Sequence, residues 1–122
     1  MSDEFFKIAR QEIETELHEL ELIVTNCKND EHVFKNSRKI EEHLHKIKGL
    51  APMIDQEMVA EISKTADVVM RHIINQGALN GAYNFIKDAV VQMKNIFNDQ
   101  KNADIDDFIK SVHEAFPQIS SW

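Results

Sequence analysis

Apolar residues return every three or four positions along almost the whole chain, and that period limits the fold more than any other feature. It predicts a helix from Asp3 to Asn26, with Phe6, Ile13, Leu17, Leu20 and Val24 on one stripe. Asn29-Asp30 interrupts it, and Asp30 is a candidate cap for a second helix over about 31–51. That segment carries Val33, Ile40, Leu44, Ile47 and Ala51 on one side, and Pro52 should end or kink it. Asp55 is a candidate cap for a third helix over about 56–76, with Val59, Ile62, Ala66, Val69 and Ile73 inward and Gly77 as its stop. A fourth helix is expected over about 81–99, started by Asn80, with Phe85, Val90, Met93 and Phe97 apolar. Asp104 should cap a short fifth helix, from Ile105 to about Phe116, which Pro117 closes. Four long stripes joined by short loops are buried most economically in an all-α, antiparallel up-down-up-down four-helix bundle. The short fifth C-terminal helix would pack outside it.

Composition narrows the class. The 122 residues suit a single domain, and 43% hydrophobic content can fill a core. Three Gly and two Pro leave few β-turns. A net charge of −7 without a basic stripe argues against nucleic acid and favours protein partners. The polar faces are acidic rather than basic, which also argues against membrane-surface binding. No apolar run approaches the ~18 residues of a membrane span. Ser2-Asp3-Glu4 is acidic where a signal peptide would be basic. Cys27 is single and has no partner for an internal disulfide, so a small buried hydrophobe in a reducing cytoplasm is expected. A cytoplasmic monomer is the simplest expectation.

Among His18, His32, His43, His45, His72 and His113, the two in the second segment differ by geometry. At about 100° per residue, His43 lies about 70° from the core direction of Ile40, Leu44, Ile47 and Ala51, and His45 about 130°. His43 is then a boundary residue and His45 faces outward. Arg38, Glu41, Glu42, Lys48, Gly49 and Pro52 share its face. Lys48 lies one turn along from His45, and Gly49 sits almost directly above the ring. Mid-helix glycine costs roughly 1 kcal/mol relative to alanine. Here it either clears space over the ring or marks a fraying end before Pro52. A neutral imidazole is a nucleophile, a carboxylate on its other ring nitrogen fixes the tautomer, and a nearby ammonium offsets charge on a transferring group. Those parts suit a histidine that accepts a phosphoryl group. The plain alternative for Lys48 is an exposed lysine.

The run His45-Lys46-Ile47-Lys48-Gly49-Leu50-Ala51 resembles the His-x-x-Lys-Gly signature of histidine phosphotransfer (HPt) domains. The pattern continues through Ile54, Val59, Ala60-Glu61-Ile62 and Asp67. With the long opening helix and the trailing helices, the chain looks most like the N-terminal phosphotransfer domain of the chemotaxis kinase CheA, over roughly residues 5–100. The resemblance implies a four-helix bundle with an exposed acceptor histidine. His45 matches the residue phosphorylated through Nε2, Lys48 the lysine that steadies the phosphoryl group, and Gly49 the close-approach glycine. Asp67 falls where CheA-type domains carry a glutamate that orients the ring, and Lys64 where some carry another histidine. Asp55 stands in place of a glycine common ten residues after the acceptor, Pro52 is unusual for the preceding turn, and Leu50 stands where a small residue is frequent.

This reading implies a single HPt-like domain over 1–122, with the bundle at about 3–100 and the extra helix at about 104–116. It implies a two-component phosphorelay in which the partners are a histidine kinase and a response-regulator receiver domain. The chain would be a carrier rather than an enzyme. It would hold no cofactor and no metal of its own, since ATP and Mg²⁺ belong to those partners. Arg38, Glu41, Glu42, Leu50 and Lys64 are the expected docking residues. Two alternatives stand beside it. One is a helical interaction module that has lost phosphotransfer. The other is a metal-binding bundle built on Glu42-x-x-His45, which would need a second Glu-x-x-His that the sequence lacks.

Overall fold

The structure is a computed structural model that describes residues 2–99 and 104–122. The described residues form an all-α protein of six helices, with no strand among them. These are α1 (Asp3–Asn26), α2 (Asp30–Lys35), α3 (Ser37–Leu50), α4 (Glu57–Gln76), α5 (Ala82–Asp99) and α6 (Ile105–Ala115). A 3-10 turn, Ala51–Ile54, follows α3. The expected bundle limit at residue 100 lies outside the described residues.

Local chemistry accounts for most of the boundaries. Ser2 caps α1 by accepting from the Phe5 N–H, and Asp3 and Glu4 face the positive end of the helix dipole. Ala9, Ile13, Leu17, Leu20 and Val24 form its buried stripe. Phe6 is only partly buried, at the margin of the core. Pro52 in the first 3-10 turn ends α3 as expected. Gly77, at φ 102°, stops α4, and Asp104 caps α6 through the Asp107 N–H.

Three expectations need correction. The segment expected as one helix over 31–51 is two, α2 and α3, parted at Asn36. The Asn36 side-chain Nδ2 donates to the His32 carbonyl at 2.8 Å, the same oxygen that receives the Asn36 backbone N–H at 3.1 Å. That doubled contact draws the chain off the regular helical path, to φ −103° and ψ 9°. Asn29 rather than Asp30 caps α2, through the His32 N–H. The Asp30 carboxylate instead reaches across to the Gly81 and Tyr83 N–H groups at 3.0 and 2.7 Å, where it satisfies donors at the start of α5. Asp55 does not cap α4 either. It adopts the left-handed region at φ 60° and ψ 25°, and Gln56 occupies the cap position without a side-chain bond.

The helices α1, α3, α4 and α5 enclose the core. The α3 helix packs on α4 and α1, α5 packs on α4 and α1, and α6 leans on α4. Ile13, Leu20, Ile40, Leu44, Ile47, Ile62, Met70, Ile73, Ile86 and Met93 are fully buried there. Phe85, one of the apolar residues of α5, is half-buried and joins α5 to α6. Its ring stacks on Phe108 at 6.3 Å and meets the edge of Phe116 at 5.5 Å. No described helix is long and apolar enough to cross a membrane.

Candidate functional site

Ile40, Leu44 and Ile47 turn inward along α3, and that orientation fixes where its polar residues point. His45 faces out, with 62% of its side chain exposed. His43 does not. It lies against α1, where Nδ1 contacts Glu16 Oε2 and approaches Glu19 Oε2 at 3.8 Å. Lys46 adds a 3.5 Å ion pair to Glu16. His43 is therefore a clasp between two helices, while His45 stands free of the core on the next face.

On the α4 side of His45 lies a charged cluster. Asp67, the carboxylate expected to orient the ring, is only 1% exposed, and it binds two cations instead. Its Oδ2 receives Lys48 Nζ at 2.9 Å and Arg71 Nη2 at 2.6 Å. A buried carboxylate needs such partners, because removing a charge from water costs several kcal/mol unless it is paired. Lys48, expected to steady a phosphoryl group, is thus anchored across the α3–α4 seam. Arg71 is a member that sequence reading missed. Its i, i+4 spacing from Asp67 was the available signal.

Glu41 was expected on the docking face. Its side chain is instead only 23% exposed, set between His45 and Asp67. Glu41 Oε2 lies 4.0 Å from His45 Nδ1, one turn along α3. Burial first, then the hydrogen bond that its protonated form can donate to Asp67 and the repulsion of that carboxylate, push its carboxyl up to about 7, against the opposing pull of Arg71 and Lys48. Arg38, Glu42 and Lys64 are exposed, and Leu50 is half-buried against the core. Cys27 is buried, and burial pushes its thiol up, so it is no ready nucleophile.

Gly49 lies inside the continuous helical path of α3. A Cβ added there would meet nothing within 4 Å, and its φ is not positive. Neither packing nor backbone geometry demands glycine at that point. The surface beside it is an open groove of about 360 Å³ between α1 and α3, lined by Glu12, Glu16, His45, Lys46, Gly49 and Leu50.

Two side-chain groups among the described residues bring potential metal ligands within 4.8 Å of one another: Glu16, Glu19 and His43, and Glu41, His45 and Asp67. In the first, Lys46 already pairs with Glu16. In the second, Lys48 and Arg71 sit 2.9 and 2.6 Å from Asp67, where they would repel a dication. The carboxylate beside His45 is Glu41, not the Glu42 of the Glu-x-x-His spacing.

Comparison with protein-family models, with curated proteins and with solved structures gave no match.

Proposed function

We propose that this chain is a histidine phosphotransfer carrier of a two-component relay, a cytoplasmic monomer in which α1, α3, α4 and α5 form an antiparallel four-helix bundle and α6 braces it. One observation carries the reading. His45 is exposed in mid-helix beside a glycine that nothing inside the protein requires. A glycine costing roughly 1 kcal/mol in a helix has an external use here, since it leaves the ring open to a docking protein. The left-handed Asp55 adds support, because it stands where the resembling family commonly has glycine, the residue best suited to that conformation.

Transfer then proceeds by in-line displacement. The Nε2 lone pair of neutral His45 attacks phosphorus in an acyl phosphate on a receiver aspartate. The N–P bond forms as the P–O bond to the carboxylate breaks, and the electron pair leaves with that carboxylate. Phosphoryl transfer asks mainly for positioning and charge neutralisation. The partner supplies Mg²⁺, while Lys48 and Arg71 make the α4 side of the ring electropositive. Docking falls on the exposed face bearing Arg38, Glu42, Leu50 and Lys64.

One feature favours a second reading. Lys48 is held by Asp67, which a bundle that has kept its fold but lost phosphotransfer would also retain. Incubation with a radiolabelled phospho-receiver separates the two. Label moves to the native chain and not to His45→Gln if the carrier reading holds. An unlabelled native chain across a panel of receivers and kinases would favour the interaction module.

A further inference from the structure

Asp67 is almost wholly buried, yet only one of its oxygens has a donor. Oδ2 takes both Lys48 and Arg71, and Oδ1 has no hydrogen-bond partner. A buried acceptor left unsatisfied is costly, so a donor belongs there. The adjoining side chain that can supply one is Glu41, and only in its protonated form. Glu41 also has a second neighbour, because its Oε2 lies 4.0 Å from His45 Nδ1. One carboxyl therefore stands between two alternative partners.

We propose that Glu41 is the positioning residue of His45, with two settings. Protonated, it donates to Asp67 Oδ1 and leaves the imidazole unheld. Ionised, it releases its proton to water, turns to accept from His45 Nδ1–H, and so fixes the tautomer whose Nε2 lone pair faces the solvent. Asp67 does not take that role here: its Oδ2 is held by Lys48 and Arg71, and its Oδ1 is the acceptor that protonated Glu41 fills. The charged groups facing Glu41 are His45 and Lys48 from α3 and Asp67 and Arg71 from α4. Those of α1, Glu16 and Glu19, meet α3 on its other flank at His43. Burial and the neighbouring Asp67 raise the Glu41 carboxyl to about 7, so the change of setting falls near neutrality. The kinetic consequence rests on the carrier reading. The tautomer does not.

Nitrogen-detected NMR of the full chain, labelled at histidine, reads the His45 tautomer directly from about pH 6 to about pH 8. The native protein is expected to gain the Nδ1–H form as pH rises through about 7, and Glu41→Gln to lack that gain. Phosphoramidate, a small donor that needs no partner protein, reads nucleophilicity in parallel. Glu41→Gln is expected to react about tenfold more slowly at high pH, the effect of losing one charge-assisted hydrogen bond, and to lose the rise near neutrality. Circular dichroism checks the fold of the variant. Should it not fold, the native titration alone decides. A native tautomer population that stays constant across the range overturns the proposal, as do superimposable profiles for the native chain and the variant. If the tautomer shifts but no phosphoryl group is taken from any donor, the carrier reading fails and the positioning role stands. If transfer occurs with the same profile in both proteins, the positioning role fails alone.

Discussion

Replacing Glu41 by glutamine should change how stability depends on pH, in a direction set by its surroundings. In the unfolded chain this carboxyl titrates near its ordinary 4.5, and in the folded protein it is raised to about 7. Between those values the native state holds a proton that the unfolded state has lost. Stability from this group is therefore complete below pH 4.5 and drains away as pH climbs through about 7. At roughly 1.36 kcal/mol per pKa unit, the limit is about 3 kcal/mol. Solvent contact at 23% exposure trims it, so about 2 kcal/mol is expected. Glutamine stays neutral and can still donate to Asp67 Oδ1. Urea denaturation of both proteins at matched pH isolates the effect, because every other carboxylate cancels in the difference. Glu41→Gln should gain about 2 kcal/mol relative to the native chain between acid and mildly alkaline pH. Parallel stability curves would refute the reasoning, and so would a variant that loses ground as pH rises.

Substitutions at three further positions probe other parts of the account. Asp30→Ala removes the acceptor for the Gly81 and Tyr83 N–H groups, and should cost about 1–2 kcal/mol in chemical denaturation, as loss of a helix cap does. Asp55→Gly relieves a left-handed φ of 60° and should be neutral or stabilising by up to about 1 kcal/mol, whereas Asp55→Val should destabilise by more than that. Lys48→Ala leaves Arg71 still on Asp67, so the bundle should stay folded with a loss of about 1–2 kcal/mol, while phosphoryl transfer slows. A melted variant would assign Lys48 to structure alone.

The long helices were legible because each carries an apolar stripe, and a breaker follows α3 and α4. Ile13, Leu17, Leu20 and Val24 in α1 and Val59, Ile62, Ala66, Val69 and Ile73 in α4 lie in the core as their spacing predicts. Pro52 and Gly77 act where local backbone chemistry requires. Most of what escaped was decided by tertiary contacts, and the break at Asn36 by a local one. Asn29 and Asp30 are adjacent and equally able to cap. Only the approach of α5, with its unpaired N–H groups, draws Asp30 away. The break at Asn36 depends on a side-chain amide choosing a backbone carbonyl. At the site, azimuth alone separated exposed His45 from His43. It could not show that Asp67 would meet Lys48 and Arg71, nor that Glu41 would turn inward, because those outcomes depend on how closely α3 and α4 approach.

The most direct test of the account is to treat the native chain with phosphoramidate and map any attached phosphate by mass spectrometry under alkaline conditions. The account predicts an acid-labile, base-stable phosphate on His45 and none on His43 or the other histidines. Phosphate elsewhere, or a native protein as unreactive as His45→Gln, would contradict it.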